Sequence, residues 1–294
     1  MPLWKRLRPL KRIISKFSQY LQSIKYSNMS PTPILANTLD EVIARLEAII
    51  SHSIQHKDRC GYFAALYYKV TLKVKEGIAA GQFGDGVNIA RLDVQFANRY
   101  FHAYDQWQQG KPVTKSWEVA FTAAKKRSCI ILQHLLLGMN AHINLDLGIA
   151  TCEIADGDID NLRVDYNNIN LILSSLTYGV ISQLNLLSPF MSILGFRGTT
   201  SNSMLVQFSL ANARDGSWCF AEALALRQGQ DYGEFILQRD KEIAGLGDSL
   251  VHNRGFLKIG VWLIHLFEKK DVRYVIDVLN DGRKPYMKEL KGFK

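Results

Sequence analysis

The segment from Gln133 to Leu147, with the sequence QHLLLGMNAHINLDL, constrains the fold more than any other part of the chain. Its apolar positions predict a helix that is buried in the protein core. A buried polar side chain that finds no hydrogen-bond partner costs roughly 1–3 kcal/mol. This segment nevertheless contains several such side chains: His134, Asn140, His142, Asn144 and Asp146. The rest of the fold must therefore supply partners for them.

Helical geometry divides these polar side chains between two sides of the segment. At 100° per residue, His142 and Asp146 share one face, and Asn140 and Asn144 share the nearly opposite face. Polar residues on opposing sides predict a helix that lies between others at the centre of a bundle. His134 precedes His142 by eight residues, or about 12 Å along the axis, which is too far for the two rings to bind one ion. We therefore expect His134 to be a neighbour of the site at best.

The pair formed by His142 and Asp146 has three possible roles. Both could bind a divalent metal if another helix supplied further ligands, since di-metal carboxylate bundles use related helical spacings. Alternatively, Asp146 could fix the tautomer of His142 for acid–base chemistry. The third possibility is a hydrogen-bonded network that only determines how the core packs.

Two further groups of residues are candidates for the same site. Asp93 lies beside the apolar stripe of a predicted helix over 87–107, where it could face a pocket as a metal ligand or general base. It could equally pair with Arg99 or with a basic residue of a neighbouring helix. Arg214 and Trp218 are four residues apart, a spacing that could place a cation beside an indole within a site or on the surface.

The fold class follows from apolar residues that recur at helical spacing from Thr38 onward. Thr38 and Glu41 have the spacing of a capping box at the start of the first of these helices. No segment alternates polar and apolar residues over two positions, so we predict an all-α, bundle-like domain over residues 34–294. The later helices are expected at 62–80, 87–107, 116–124, 129–150, 164–187, 203–228, 231–251, 256–268 and 271–280.

The N-terminal 33 residues form a separate arm and linker with its own charge. The chain has a net charge of +9, and residues 1–30 hold seven basic residues and no acidic one. Apolar residues recur every three or four positions between residues 3 and 25, which predicts a basic amphipathic helix. Such a helix could lie on an anionic membrane surface, pack on the body of the protein, or serve in RNA binding or targeting.

The composition of the rest of the chain limits its partners. Because seven of the 36 basic residues lie in the arm, the body has 29 basic and 27 acidic residues, and its charge does not favour nucleic-acid binding. The four cysteines are widely spaced without a CxxC pair, which is typical of reduced thiols in a cytoplasmic protein. Between Asp165 and Arg214, Arg197 is the single charged residue, a composition that modestly favours a lipophilic partner.

Several segments resemble an uncharacterised bacterial family, the domain of unknown function 5995. The most specific is GMNAHINLDL, from Gly138 to Leu147, and LDVQFANRY, from Leu92 to Tyr100, is also similar. Further similar segments lie at 63–71, 165–173 and 214–224. The resemblance extends over about residues 40–250 and implies an all-helical domain, without an activity.

We therefore predict an enzyme that acts on a small lipophilic substrate in a buried pocket. His142 would be the acid–base group or a ligand, with Asp146 as its partner, and Asp93 would belong to the same pocket. Asn140 and Asn144 would orient the substrate or a neighbouring helix. A divalent metal is the one cofactor that these residue types suggest. The rival hypothesis is a non-catalytic helical scaffold or ligand-binding protein that its arm attaches peripherally to a membrane.

Overall fold

Helix follows helix along the chain, as the spacing of its apolar residues predicts. The computed structural model describes residues 35–155, 158–194 and 210–280. Within these ranges it contains eleven α-helices and no β-strand, which confirms the all-α fold class. In chain order the helices are α1 Leu39–His56, α2 Cys60–Ala79, α3 Gly86–Gln108, α4 Lys115–Lys125, α5 Ile131–Ala141, α6 Leu147–Ile154, α7 Arg163–Leu187, α8 Leu210–Ala225, α9 Gly229–Val251, α10 Gly255–Phe267 and α11 Val272–Asn280.

The described residues also include three shorter helical segments. A π-helix at His142–Asp146 joins α5 to α6, and 3-10 turns lie at Asp160–Leu162 and Met191–Leu194. The helix predicted over 129–150 is thus a continuous rod of three parts that begins at Ile131 and ends at Ile154. The prediction missed the π-turn because periodicity does not distinguish a single widened turn from α-helix.

This central rod is surrounded by other helices on several sides. The α5 segment packs against α2, α4 and α9, and α6 packs against α3 and α8. Nearly every residue from Ile131 to Thr151 is buried. The prediction of a helix at the bundle centre is therefore confirmed, and its polar side chains must find partners within the protein.

The start of α1 shows the predicted N-cap in a modified form. The Thr38 hydroxyl accepts a hydrogen bond from the backbone N–H of Glu41 over 3.2 Å. The Glu41 carboxylate, however, accepts from the backbone N–H of Asn37 over 2.7 Å instead of from Thr38. The reciprocal bond of the capping box is displaced by one residue, and both bonds still satisfy donors at the helix terminus.

The described helices belong to one compact unit that begins at Ala36. The arm and linker predicted at 1–33, and the segment 3–25 for which membrane binding is one of the predictions, lie outside the described residues. No described helix is both long enough and apolar enough to cross a bilayer. All four cysteines are free thiols.

A close contact between α2 and α5 depends on Gly138. A Cβ atom at this position would lie 2.5 Å from Cγ and Cδ2 of Phe63. The ring of Phe63 in turn contacts Trp117 and His142 edge-on, with centroid separations of 5.7 Å to both. The absence of a side chain at Gly138 therefore lets the Phe63 ring pack directly against the central rod and contact His142 in the π-helix.

We predict that Gly138→Ala lowers the free energy of unfolding by about 1–3 kcal/mol, because the added methyl group overpacks the Phe63 contact. The matched control is Gly245→Ala in α9, an exposed helical position where a Cβ would meet nothing within 4 Å. That variant should gain about 0.5–1 kcal/mol from helix propensity alone. Urea unfolding measures both, and equal stabilisation of the two variants would contradict the packing account.

Candidate functional site

The central rod leaves α-helical geometry at the turn that carries its polar residues. From His142 to Asp146 it is a π-helix, closed by a hydrogen bond from the backbone N–H of Leu147 to the carbonyl of His142. Within this turn, the Asn144 carbonyl accepts a hydrogen bond from Arg239 Nε over 3.1 Å. Single π-turns within α-helices occur frequently at functional sites.

The buried Asp146 carboxylate collects three donors at this turn. Its Oδ2 atom accepts from Trp117 Nε1 of α4 over 2.9 Å and lies 3.1 Å from His142 Nδ1. Its Oδ1 atom accepts from Arg99 Nε of α3 over 3.4 Å. Since a buried carboxylate must be compensated by donors, two neighbouring helices and the turn itself are held together by this one side chain.

Asp146 also determines the chemistry of His142. Because the carboxylate oxygens accept hydrogen bonds, Nδ1 of His142 carries the proton and Nε2 is left with a lone pair. Nε2 is buried and has no hydrogen-bond partner among the described residues. Burial lowers the pKa of His142 from its usual value, against the opposing effect of Asp146. The imidazole is therefore neutral near pH 7 and presents an unused base.

Aromatic rings enclose His142. Phe96 stacks on the imidazole with a centroid separation of 3.5 Å and an interplanar angle of 8°. Tyr67 meets it edge-on at 4.6 Å, and Phe63 does so at 5.7 Å. Sequence reasoning missed these rings. The available signal was the four-residue spacing of Phe63 and Tyr67 on α2, which places both on one helical face.

These rings adjoin a cavity that is lined by α2, α3, the central rod, α7 and α8. The volume open to the centre of a water molecule is about 130 Å³. Lining residues on α7 run from Ile169 to Leu184, which at 1.5 Å per residue corresponds to a length of about 22 Å. The cavity is therefore a narrow channel. Most of its wall is aliphatic: Leu66, Val70, Val74, Leu132, Leu135, Leu136, Leu173, Leu176, Val180 and Leu184 among others.

Asp93 is one of the few polar residues in this wall. Its Oδ2 atom is buried and has no hydrogen-bond partner among the described residues, and burial raises its pKa to about 7. The alternative of a pair with Arg99 is wrong, because Arg99 donates to Asp146 and to Glu153. The structure places Asp93 in the wall of the cavity, and the other ionisable residues of the described wall are Tyr67, His142 and Arg214.

The predicted contact between Arg214 and Trp218 does not form, because Tyr166 of α7 inserts between them. The Arg214 guanidinium lies 4.2 Å from the centroid of the Tyr166 ring and donates to the Tyr166 carbonyl over 2.6 Å. Trp218 packs edge-on against the same ring at 4.9 Å, and its indole N–H donates to Glu222 over 2.6 Å. Both residues are buried, so the surface alternative is also wrong.

The two asparagines connect the central rod to α9. Asn144 Nδ2 donates to Asn140 Oδ1 over 3.1 Å, and Asn140 Nδ2 donates to the carbonyl of Ile243 over 2.8 Å. Neither side chain lines the cavity. Of the two roles predicted for them, the geometry agrees with orientation of a neighbouring helix.

His134 lies outside the cavity, as its distance along the helix predicts. Its ring meets Tyr62 edge-on with a centroid separation of 5.7 Å. Burial, assisted by the nearby charge of Arg59, lowers the pKa of His134 to about 3. The residue is therefore a neutral member of the core at physiological pH.

A metal at His142 and Asp146 would need further ligands. Among the described residues, no group of three or more His, Cys, Asp or Glu side chains is arranged to hold a metal ion. The oxygens of Asp146 already accept from Trp117 and Arg99. Divalent metal binding by His142 and Asp146 stays a prediction. We identify no third ligand for it among the described residues.

We predict that Asp93→Asn removes a pH-dependent loss of stability. The pKa of Asp93 is raised from 3.8 to about 7 in the folded protein. Below about pH 4 the carboxyl group is protonated in both the folded and the unfolded chain, so its titration does not lower the free energy of unfolding there. As pH rises from 4 to 7, the unfolded chain releases this proton and the folded chain keeps it, which costs up to about 4 kcal/mol.

Urea unfolding of both proteins between pH 4 and 8 checks this expectation. The difference in the free energy of unfolding should move in favour of the asparagine variant up to about pH 7 and then become constant. A difference that does not vary with pH would mean that Asp93 ionises in the fold as readily as in the unfolded chain.

Comparison with family models extends the sequence resemblance to a defined region. The model described as "Family of unknown function (DUF5995)" matches residues 39–253, which include the central rod and every residue of the candidate site. Neither the curated proteins nor the solved structures contain a match to the chain. With most of its length matched by that model, the chain belongs to the DUF5995 family.

Proposed function

We propose that this domain takes a lipophilic molecule into the core cavity and that His142 acts as a general base on its polar end. Asp93 would serve as the proton donor. The observation that carries this proposal is an apolar channel whose wall includes His142, a residue with a buried imidazole nitrogen that has no hydrogen-bond partner among the described residues. Pockets of this kind, apolar with a few polar groups of perturbed pKa, are the usual form of small-molecule sites.

The channel suits an extended apolar chain better than a compact polar substrate. Its length of about 22 Å exceeds the roughly 15 Å that one acyl chain occupies in half of a bilayer's hydrocarbon core. Its wall holds no Lys, Ser, Thr or Cys side chain among the described lining residues. A hydrocarbon chain would gain about 0.8 kcal/mol for each methylene group transferred from water into such a wall.

The chemistry of the ligand's polar end is inferred from His142 and Asp93, two residues of the cavity wall with atoms that lack hydrogen-bond partners among the described residues. His142 Nε2 can accept a hydrogen bond, and protonated Asp93 can donate one. A buried polar group without a partner costs roughly 1–3 kcal/mol, so a ligand that satisfies both groups would recover that free energy. A hydroxyl or carbonyl group on a lipid has the required chemistry.

Proton transfer is supported by the way in which Asp146 holds His142. The imidazole would accept at Nε2 a proton from the carbon next to a carbonyl group of the ligand, and the electron pair of that C–H bond would move to the carbonyl oxygen. The positive charge that develops on His142 would be stabilised by the Asp146 carboxylate 3.1 Å from Nδ1. Asp93, with its pKa near 7, can return a proton to the substrate at neutral pH. Two ionisable groups in different surroundings thus have opposite roles.

We predict that Leu176→Trp, which fills the channel midway along α7, prevents binding of the fluorescent fatty acid cis-parinaric acid. The indole would occupy volume that the chain needs. The matched control is Leu237→Trp on α9, where the side chain is exposed and does not line the cavity. Fluorescence titration should show saturable binding by the wild type and the control only. Equal binding by all three proteins would exclude the channel as the site.

We predict that the wild-type protein, incubated with a total lipid extract in D₂O, catalyses incorporation of carbon-bound deuterium next to the carbonyl group of one lipid species. His142→Asn should abolish this exchange, because the asparagine can still donate to Asp146 but provides no base. The matched control is His134→Asn, the same change at the buried histidine outside the cavity. Mass spectrometry of the lipids gives the result, and exchange that persists in His142→Asn would contradict the assignment of the base.

A second candidate function is a lipid carrier without catalysis. It is favoured by the absence of a hydroxyl or thiol nucleophile other than Tyr67 among the described residues that line the cavity. Under this hypothesis, His142 and Asp93 would only hold the polar end of the ligand. Saturable binding of cis-parinaric acid, with no deuterium exchange by wild-type protein, would favour the carrier.

A further inference from the structure

The outward side of α10 is apolar along its whole length. Phe256 is 80% exposed, Ile259 61% and Trp262 58%, and two further residues near the end of the helix, Leu266 and Phe267, are more than half exposed. At 100° per residue these side chains cover an arc of about 140°. Gly260, Val261 and Ile264 fill the opposite, buried side. A helix that is apolar all round normally has both sides covered.

This surface continues onto the end of α7 and the 3-10 turn that follows. The ring of Phe190 packs against Phe267 with a centroid separation of 5.2 Å. Phe190 itself is half exposed, as are Leu186 and Ile193 beside it. We call the exposed apolar residues of both segments the α10 face: Leu186, Phe190, Ile193, Phe256, Ile259, Trp262, Leu266 and Phe267.

Positive charge borders the α10 face. Four basic residues between positions 253 and 270 are exposed: Arg254, Lys258, Lys269 and Lys270. The one acidic residue in this range, Glu268, is buried and lies 3.2 Å from the Lys270 ammonium group. Aromatic and aliphatic side chains with a basic border are the pattern of helices that lie in the headgroup region of anionic membranes.

We infer that the α10 face docks on an anionic bilayer surface. The charge of the border selects this occupant over two others. Residues 1–30 contain seven basic residues and no acidic one, so the arm would be repelled from a basic border. A second copy of the chain would bring two basic borders together in a symmetric contact. Anionic headgroups, in contrast, complement the lysines while the acyl region covers the aromatic rings.

The helix α10, which carries five of the eight residues of the α10 face, lies outside the region that the family model matches, since that region ends at residue 253. Membrane docking there is independent of the chemistry proposed for the cavity. A test of membrane docking therefore does not depend on which ligand the channel binds.

Co-sedimentation with vesicles tests the inference on the full-length chain. Vesicles of phosphatidylcholine containing phosphatidylserine should bind the wild type more strongly than vesicles of phosphatidylcholine alone. The double substitution Phe256→Glu/Trp262→Glu should reduce binding to the anionic vesicles by about tenfold or more, because two aromatic side chains that would enter the bilayer surface are lost and negative charge is added. Both positions are exposed, so the variant is expected to fold, which circular dichroism checks.

The matched control is the pair Leu226→Glu/Leu237→Glu, which adds the same charge at exposed apolar positions of α8–α9 outside the α10 face. Binding of this control to the anionic vesicles should fall by less than about threefold, since the substitutions change only long-range electrostatics. Equal losses in the two variants would overturn the inference, as would undiminished binding by Phe256→Glu/Trp262→Glu. A wild-type dimer that this variant converts to monomer, with no change in vesicle binding, would assign the α10 face to a second copy instead.

Discussion

The buried carboxylate of Asp146 is the interaction on which the arrangement of the site depends. It accepts hydrogen bonds from Trp117 of α4 and Arg99 of α3, and it lies within hydrogen-bond distance of His142 in its own turn. A carboxylate removed from water is tolerated only where donors compensate it. The packing of α3 and α4 on the central rod therefore follows from an electrostatic need as well as from apolar burial.

The polar residues of the central rod differ in whether their hydrogen-bonding groups have partners. Asn140 and Asn144 are fully engaged with each other and with α9, so they stabilise the position of that helix. His142 lies within hydrogen-bond distance of Asp146 through one nitrogen, while its other nitrogen is buried and has no hydrogen-bond partner among the described residues. His142 stacks on Phe96, and both residues line the apolar cavity. Buried polar groups without partners are rare in native folds. Among the described residues that line this cavity, Tyr67, Asp93, His142 and Arg214 each have one such atom, and these atoms require an explanation.

Much of this architecture could be predicted from the sequence, because helical periodicity reports which residues share a face. The central position of the His142 segment, the pairing of His142 with Asp146 and that of Asn140 with Asn144 all follow from a four-residue spacing. Partners on other helices could not be predicted in this way. Nothing in the spacing of Arg214 and Trp218 reveals that Tyr166, almost fifty residues earlier, inserts between them.

The role of Asp93 illustrates the same limit. Its place beside an apolar stripe allowed either an ion pair or a pocket, and the choice depends on where Arg99 points. The structure directs Arg99 to Asp146 and Glu153, which leaves Asp93 at the cavity. Helical spacing thus identifies the candidate residues, while contacts with side chains of neighbouring helices determine which partner each charged group has and therefore its chemistry.

The account depends most directly on the proton at His142. Nitrogen NMR of protein labelled in the histidine rings distinguishes the two neutral tautomers from the imidazolium ion. We predict that the signal assigned to His142 by comparison with His142→Asn shows, at pH 7, a protonated Nδ1 and an unprotonated Nε2. A proton on Nε2, or an imidazolium ion at that pH, would contradict the claim that Asp146 prepares His142 as a base at the cavity.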